Sequence, residues 1–398
     1  MWKDRTVLLF MFTTFATGLC GSFFFPLSSL FMVEALEATP AMLSAYLVLT
    51  VFSTVVVSQF IAYYSDRGWS RKVILLVAFT CYLITVLGFA FIRDYYLAVA
   101  IAFVFGSVGG AIYGQAFALA REYADEFLAD KATTFLSSMR AAMALAWVFG
   151  PPAAFIVKAK FGFAATFMVS AVVIVATIAV IFFFLPDGVM KEEQTEDSPV
   201  SIPWYKKAPI VLFCFAMLMT FFANGLYVTA MPLYVTKELG LGDSWPGTFY
   251  GAAALFEIPI MLAAGWLATK YGSNRVLAVG LVCGMLFFAG MLYVISPWQI
   301  IAMQVCNGVF VGVTATLGMV ALQDMMRDQL GVASTLFSNV LQGSTLLSSV
   351  AIGVVAGVYN FYSTLYLSLA GTILGLMFLV FAALSANKTQ ESAQLATE

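Results

Sequence analysis

The sequence predicts an all-α membrane protein whose twelve transmembrane helices form two pseudo-symmetric six-helix bundles. Three observations carry this. Hydrophobic residues fill 62% of the 398 positions and charged residues only 10%, against about 25% charged in a soluble domain; mean hydropathy is +0.96. Apolar runs of about 20 residues, enough to cross a bilayer, recur along the whole chain. Short strings in the first half return in the second in the same order. The strictly alternating strands of about ten residues that build an outer-membrane barrel are absent.

Each span has its own justification. Met1-Trp2-Lys3-Asp4-Arg5 opens an apolar run longer than the roughly 7–15 residues of a signal-peptide core, so it is read as a first retained helix over 6–33. Helices 2 to 6 fall at 41–64, 73–92, 97–119, 133–157 and 163–185. The longest polar stretch, Pro186–Lys207, with Lys191-Glu192-Glu193 and Glu196-Asp197, separates the halves. Helices 7 to 12 follow at 208–235, 246–269, 275–295, 298–321, 332–357 and 363–385. The domains are therefore an N-terminal bundle over 1–185, a cytoplasmic linker over 186–207, a C-terminal bundle over 208–387, and a polar tail over 388–398 expected to be disordered.

The internal repeat is explicit. Ala62, Asp66, Arg67 and Lys72 align with Gly265, Thr269, Lys270 and Arg275 at a constant offset of 203, and Gly109 meets Gly312 at the same offset. Ala118-Leu119 matches Ala321-Leu322, Ala132-Thr133-Thr134 matches Ala333-Ser334-Thr335, and Pro26-Leu27 matches Pro232-Leu233. Small loop insertions account for the drifting offsets. Two parallel halves around a central site is an architecture of secondary transporters.

Lys and Arg set the orientation. With the N-terminus inside, the outer loops hold only Arg93, Lys158, Lys160 and Lys237, and all other Lys and Arg except Arg140 lie in cytoplasmic segments. This positive-inside bias puts both termini in the cytoplasm. The expected location is a bacterial inner membrane.

Composition also excludes chemistry. Histidine is absent, which removes the commonest metal ligand and proton shuttle, so any proton carrier is a carboxylate. Cys20, Cys81, Cys214, Cys283 and Cys306 lie in apolar runs without CxxC spacing and read as small hydrophobes. No phosphate-cradling Gly-x-x-x-x-Gly-Lys-Ser/Thr string occurs, so direct ATP drive is not expected. A membrane-embedded enzyme would want a His/Glu metal set or paired aspartates within the spans, and a sensor would want a large output domain. Neither is present. No cofactor, metal or nucleic-acid partner is expected. The partners are a small-molecule substrate and the lipid bilayer, and the chain is expected to be a monomer.

Of 19 basic and 21 acidic residues, only Arg140 and Glu257 lie well inside the apolar segments. A charge near the bilayer centre costs roughly 2.5–3.5 kcal/mol and marks a substrate or ion path by default. Counted along their helices, the two differ in depth by only about 4 Å. Glu257 is read as binding substrate hydroxyls and exchanging a proton, and Arg140 as tuning it or replacing the proton as its partner. Burial favours a protonated carboxyl and a neighbouring guanidinium an ionised one. The competing reading is a static ion pair, or a glutamate kept protonated as a donor.

Several strings carry a family resemblance. Ser65-Asp66-Arg67-Gly68-Trp69-Ser70-Arg71-Lys72 resembles the major facilitator superfamily signature between helices 2 and 3, with Ala62 and Trp69 at glycine positions; Gly265 to Arg275 is its second copy. The run Phe117 to Asp125, the run Arg140 to Gly150-Pro151-Pro152, Phe256-Glu257-Ile-Pro259 and Gln323-Asp324 resemble the bacterial sugar efflux transporter family within that superfamily. The resemblance implies the major facilitator fold, helices 5 and 8 side by side where the halves meet, and proton-linked export of sugars such as lactose, glucose and glycosides by alternating access. A drug or small-metabolite antiporter, or a proton-coupled sugar importer, remains an alternative on the same fold.

Recognition of a sugar needs convergent amides, hydroxyls and aromatic faces. Candidates are Tyr113 and Gln115 on helix 4, Asn224 and Tyr227 on helix 7, Gln304 and Asn307 on helix 10, and Asn339 and Gln342 on helix 11. Such side chains also serve as ordinary glue between helices, at about 0.6 kcal/mol each. Asp66, Arg67, Arg71, Arg121, Glu122 and Asp125 read as a cytoplasmic charge network, with Asp324 its counterpart. By resemblance the network latches the outward-open state. Gly150 and Pro151, with Pro152, resemble an antiporter-associated motif that loosens helix 5.

Overall fold

The computed structural model describes residues 4–65, 67–128, 132–186, 204–294, 296–326 and 330–395. Asp66, most of the linker and the last three residues of the tail lie outside them, as does the side chain of Asp125. Among the described residues the regular structure is helical, and eleven helices are long and apolar enough to span a membrane.

One of the eleven is a double span. The helical stretch Ala132–Phe184 is broken at a single residue, Gly162, with φ 81° and ψ 178°. Only glycine takes that backbone conformation without strain, so it makes the whole turn. Twelve spans result: α1 (Arg5–Glu34), α2 (Pro40–Ser65), α3 (Arg71–Phe91), α4 (Tyr95–Ala124), α5 and α6 (132–161 and 163–184), α7 (Ala208–Glu238), α8 (Trp245–Tyr271), α9 (Ser273–Met291), α10 (Pro297–Met325), α11 (Leu330–Val358) and α12 (Thr364–Leu395). Two details differ from the sequence expectation. Lys158 and Lys160 stand inside α5 rather than in a loop, because Gly162 alone reverses the chain. The backbone of α12 stays helical through Leu395, where Gln, Glu, Ala and Leu are good helix formers.

The helices begin and bend where local chemistry dictates. In hydrocarbon each backbone group must bond within its own segment, which leaves the first N–H groups of every span to be capped. Asp4, Ser70 and Asp94 accept from backbone N–H groups of α1, α3 and α4. Ser296 and Gln299 form a reciprocal capping box with Pro297 at the first position of α10, a position where proline loses nothing. Prolines inside spans remove a helical bond; Pro26 and Pro232 sit in α1 and α7, the pair matched by the repeat. After Pro232 the chain widens into a π-turn over Tyr234–Glu238, and another π-turn, Ala102–Gly106, lies inside α4.

The chain divides into two compact units, Met1–Thr195 with Val235–Ala254, and Glu196–Tyr234 with Leu255–Glu398. In the first, α1 and α3 pack on the α5–α6 pair and α3 packs on α4. In the second, α7 packs on α11 and α12, α9 on α12, and α9 on α10. The same partners recur, which is the repeat expressed as packing. Aromatic rings fill both interiors: Phe24 and Phe31 lie 4.9 and 5.3 Å from Phe89, and Tyr227 lies 5.0 Å from Phe287. The first unit also takes in the end of α7 and the first ten residues of α8, which belong by sequence to the second repeat.

Candidate functional site

Glu257 stands on α8, roughly 18 Å along the helix from Trp245 at about 1.5 Å per residue, and is half-buried in the second unit. What brings α8 against α10 here is the absence of side chains on the neighbour. A Cβ on Gly308 would lie 2.7 Å from Phe256 Cβ and 3.0 Å from the Glu257 backbone nitrogen, and one on Gly312 3.0 Å from the Glu257 carbonyl oxygen. Any larger residue on that stripe of α10 would push Glu257 away.

One turn nearer the α9–α10 turn, the same face of α10 carries Gln304. Its Nε2 donates to the Tyr227 hydroxyl at 3.0 Å, and its Oε1 accepts from Asn307 Nδ2 at 2.9 Å. All three side chains are buried. The chain has one open end: Asn307 Oδ1 is buried without a hydrogen-bond partner, a costly state for an amide. Asn224, a turn before Tyr227 on α7, and Gln342 on α11 are half-buried, and Asn339 is exposed. These amides and the phenol all fall in the second unit.

Arg140 belongs to the first unit. It sits roughly 12 Å along α5 from Ala132, and its side chain is exposed. A guanidinium at that depth facing acyl chains would cost several kcal/mol, so an exposed one faces water or a polar ligand. Tyr113 on α4 lies within its electrostatic reach and packs at a tilt against Phe117, with ring centroids 4.7 Å apart. Tyr113 is itself 46% exposed, so a base and a phenol share one accessible patch.

At the end that carries the α2–α3 turn, Arg71 Nε donates to Glu122 Oε1 at 2.6 Å. Its NH1 group donates to Ser65 Oγ at 2.9 Å and to Gln115 Oε1 at 3.3 Å, and Ser65 Oγ donates to the same Gln115 oxygen at 2.8 Å. Gln115 is thus engaged with the charge network, away from Tyr113. Arg67 lies over the Tyr63 ring at 3.6 Å, which holds its planar cation by cation–π attraction. Arg121 and Asp324 are exposed at helix ends and have partners of their own. In the second unit the corresponding end opens a cavity of about 490 Å³ between Asn274, Arg275 and Asp324. Gly150 packs into α1 at Ser22, and Pro152 meets Gly251 of α8.

Two features were not legible in the sequence. Ser65 and Gln115 complete the Arg71 shell although neither is charged. Lys158 is buried among carboxylates, and only acids near the ends of neighbouring spans hint at this. Among the described residues no group of three or more His, Cys, Asp or Glu could hold a metal, and all five cysteines are free.

Comparison with known proteins places this geometry. The family model for the Major Facilitator Superfamily matches residues 10–342 and, again, 213–398. "Sugar efflux transporter A" of Dickeya chrysanthemi is 33% identical over 92% of this chain and 93% of its own. "Sugar efflux transporter C" of Escherichia coli strain K12 is 30% identical over 95% and 96%. Among solved structures, the nucleoside transporter NupG superposes with TM-score 0.72 at 12% identity, over 95% of this chain and 99% of that one. The peptide transporter POT in complex with sulfate gives 0.77 at 13% identity over 96% and 95%; at such identities these likenesses establish the fold alone. The chain belongs to the Major Facilitator Superfamily and, within it, to the sugar efflux transporter family.

Proposed function

We propose that this protein exports sugars across a bacterial inner membrane in exchange for protons, by alternating access. The similarity to proteins named sugar efflux transporters runs through more than nine-tenths of the chain, and it supports the substrate class. The observation that carries the mechanism is a carboxyl at mid-span depth, Glu257, in a chain without histidine. Ionised, Glu257 accepts charge-assisted hydrogen bonds from sugar hydroxyls; protonated, it is neutral and holds them more weakly. Sugar and proton then compete for one group, and competition of that kind is what makes an exchanger rather than two leaks.

The open end of the Tyr227–Gln304–Asn307 chain supports a polyhydroxyl ligand. Asn307 Oδ1 is free to accept, and the Tyr227 hydroxyl, which already accepts from Gln304, is left free to donate. A sugar offers neighbouring hydroxyls that both give and take hydrogen bonds, whereas an amphiphilic drug offers apolar surface. Energetically one proton suffices. Crossing 100 mV supplies about 2.3 kcal/mol, which at about 1.4 kcal/mol per tenfold sustains a roughly 50-fold sugar gradient.

Both termini lie in the cytoplasm in this reading, so the α1–α2, α5–α6 and α7–α8 turns face outward; the protein acts as a monomer, with protons the only coupling ion. The test is flux in proteoliposomes with labelled lactose, glucose, a glycoside and a cationic drug, with and without an imposed pH gradient. Gradient-driven sugar movement is the expected result. Drug movement with no sugar movement would overturn the substrate, and sugar movement indifferent to the gradient would overturn the coupling.

A further inference from the structure

The first unit holds a group of charges that the transport chemistry leaves unused. Lys158, on the last turn of α5, is 7% exposed. Its Nζ donates to Glu34 Oε2, at the end of α1, at 2.8 Å and to Asp243 Oδ2, just before α8, at 2.6 Å. Lys237, at the end of α7, reaches the other Glu34 oxygen at 3.3 Å. The Phe163 ring lies 5.0 Å from the Lys158 ammonium. Two cations and two anions thus tie together four chain segments, with the most buried charge at the centre. A single buried ammonium shared by two carboxylates is a joint that fails as a whole if its centre is removed.

Below this joint the same segments touch backbone to backbone. Pro152 has no N–H to give to the Val148 carbonyl, its helical partner four residues earlier. Gly251 of α8 approaches that carbonyl: a Cβ there would lie 3.1 Å from Val148 O and 2.5 Å from Pro152 Cγ. One turn earlier, a Cβ on Gly247 would lie 2.7 Å from Pro151 O and 2.8 Å from Phe155 Cβ. The Gly-Pro-Pro segment of α5 therefore seats the outer turns of α8, and the ion cluster clamps the loop that leads into them.

We infer that Lys158, Glu34, Asp243 and Lys237 form an outer latch, which holds Val235–Ala254 on α1 and α5 in the outward-closed state and must part for outward opening. The inference rests on the alternating-access reading above. The glycine contacts supply a close fit, and the charges supply the attraction that keeps it shut. Water can solvate the four charges once they part, because Asp243 and Lys237 are already 41% and 46% exposed.

The test is a pulsed electron–electron resonance distance between spin labels at Glu37 and Tyr293, exposed positions of the α1–α2 and α9–α10 turns, with the five native cysteines replaced by alanine. It is measured without sugar, so failure of sugar export leaves its outcome intact. Lys158→Met is expected to enlarge the longer-distance population relative to the parent. Combining Lys158→Asp with Asp243→Lys is expected to restore much of the parent distribution, which a residue needed only for folding would not do. Gly251→Val wedges the same contact without touching a charge, and is expected to give the same longer population even if Lys158→Met fails to fold. Parent-like distances in Gly251→Val, or in a folded Lys158→Met, would overturn the latch.

Discussion

Replacing Glu257 with glutamine is the sharpest perturbation of the exchange mechanism. The amide has the shape of a protonated carboxyl, so it keeps the half-buried place on α8 against Gly308 and Gly312, but it cannot release a proton. The fold should survive, and the amide oxygen still accepts from a sugar hydroxyl, more weakly than a carboxylate. What disappears is the drive. A pH difference of one unit is worth about 1.36 kcal/mol per proton, which in a one-for-one exchanger sustains about a tenfold sugar ratio. The parent should approach that ratio in proteoliposomes, and Glu257→Gln should stop at a ratio of one while still exchanging labelled for unlabelled sugar. A variant that still concentrates sugar tenfold would refute the assignment of the proton to Glu257, and a variant that loses exchange as well would show that the carboxylate is needed for binding rather than coupling.

Gln304→Leu strands both the Tyr227 hydroxyl and the Asn307 amide in a buried site, at about 1–3 kcal/mol for each unpaired group; sugar affinity should fall roughly tenfold or more and the melting temperature with it, both measurable on the purified protein by calorimetry. Arg71→Ala leaves Glu122, whose side chain is only 17% exposed, without its cation, and should cost about 3 kcal/mol of stability, whereas Arg71→Lys, losing the planar fork to Ser65 and Gln115, should cost less. Gly110→Val drives its side chain into Thr54 of α2 and should lower the melting temperature by overpacking, at about 1–3 kcal/mol, while leaving the pH dependence of any remaining flux unchanged.

Much of the fold was legible because lipid allows so few solutions. The spans announced themselves by length, and the repeat joined Pro26 to Pro232 and Gly109 to Gly312 before any coordinate. What sequence could not show was which way a side chain points. Gln115 and Tyr113 stand two residues apart on one helix, about 200° around it, and only the structure separates the network at Arg71 from the patch at Arg140. Gln304 and Asn307 read as sugar ligands from their type and depth; that they form a chain with Tyr227 and leave one oxygen open depends on a register between α7 and α10 that no local string encodes. The sequence puts Lys158 in a loop because a charge near a helix end ordinarily marks one. Its burial follows from a single positive-φ glycine that makes the α5–α6 turn, and that glycine is silent in a hydropathy reading.

The two charge clusters make a joint prediction that neither makes alone. If the Lys158 cluster stabilises the outward-closed state and the Arg71 cluster the outward-open one, their strengths must nearly cancel. An imbalance of about 2.7 kcal/mol already leaves one state a hundredfold in excess, and transport then stalls with the protein trapped. Each cluster centres on one cation: buried Lys158 with Glu34 and Asp243, and half-buried Arg71 with Glu122. Removing either cation should therefore move the spin-label distance distribution in opposite directions, toward longer outer separations for Lys158→Met and shorter ones for Arg71→Ala. Removing both should bring the distribution back toward the parent while stability falls by the sum of the two losses. That combination of cancelling populations and adding destabilisation belongs to a balanced pair of latches. If the double variant instead shows the Lys158→Met distribution unchanged, the Arg71 cluster has no part in choosing between states.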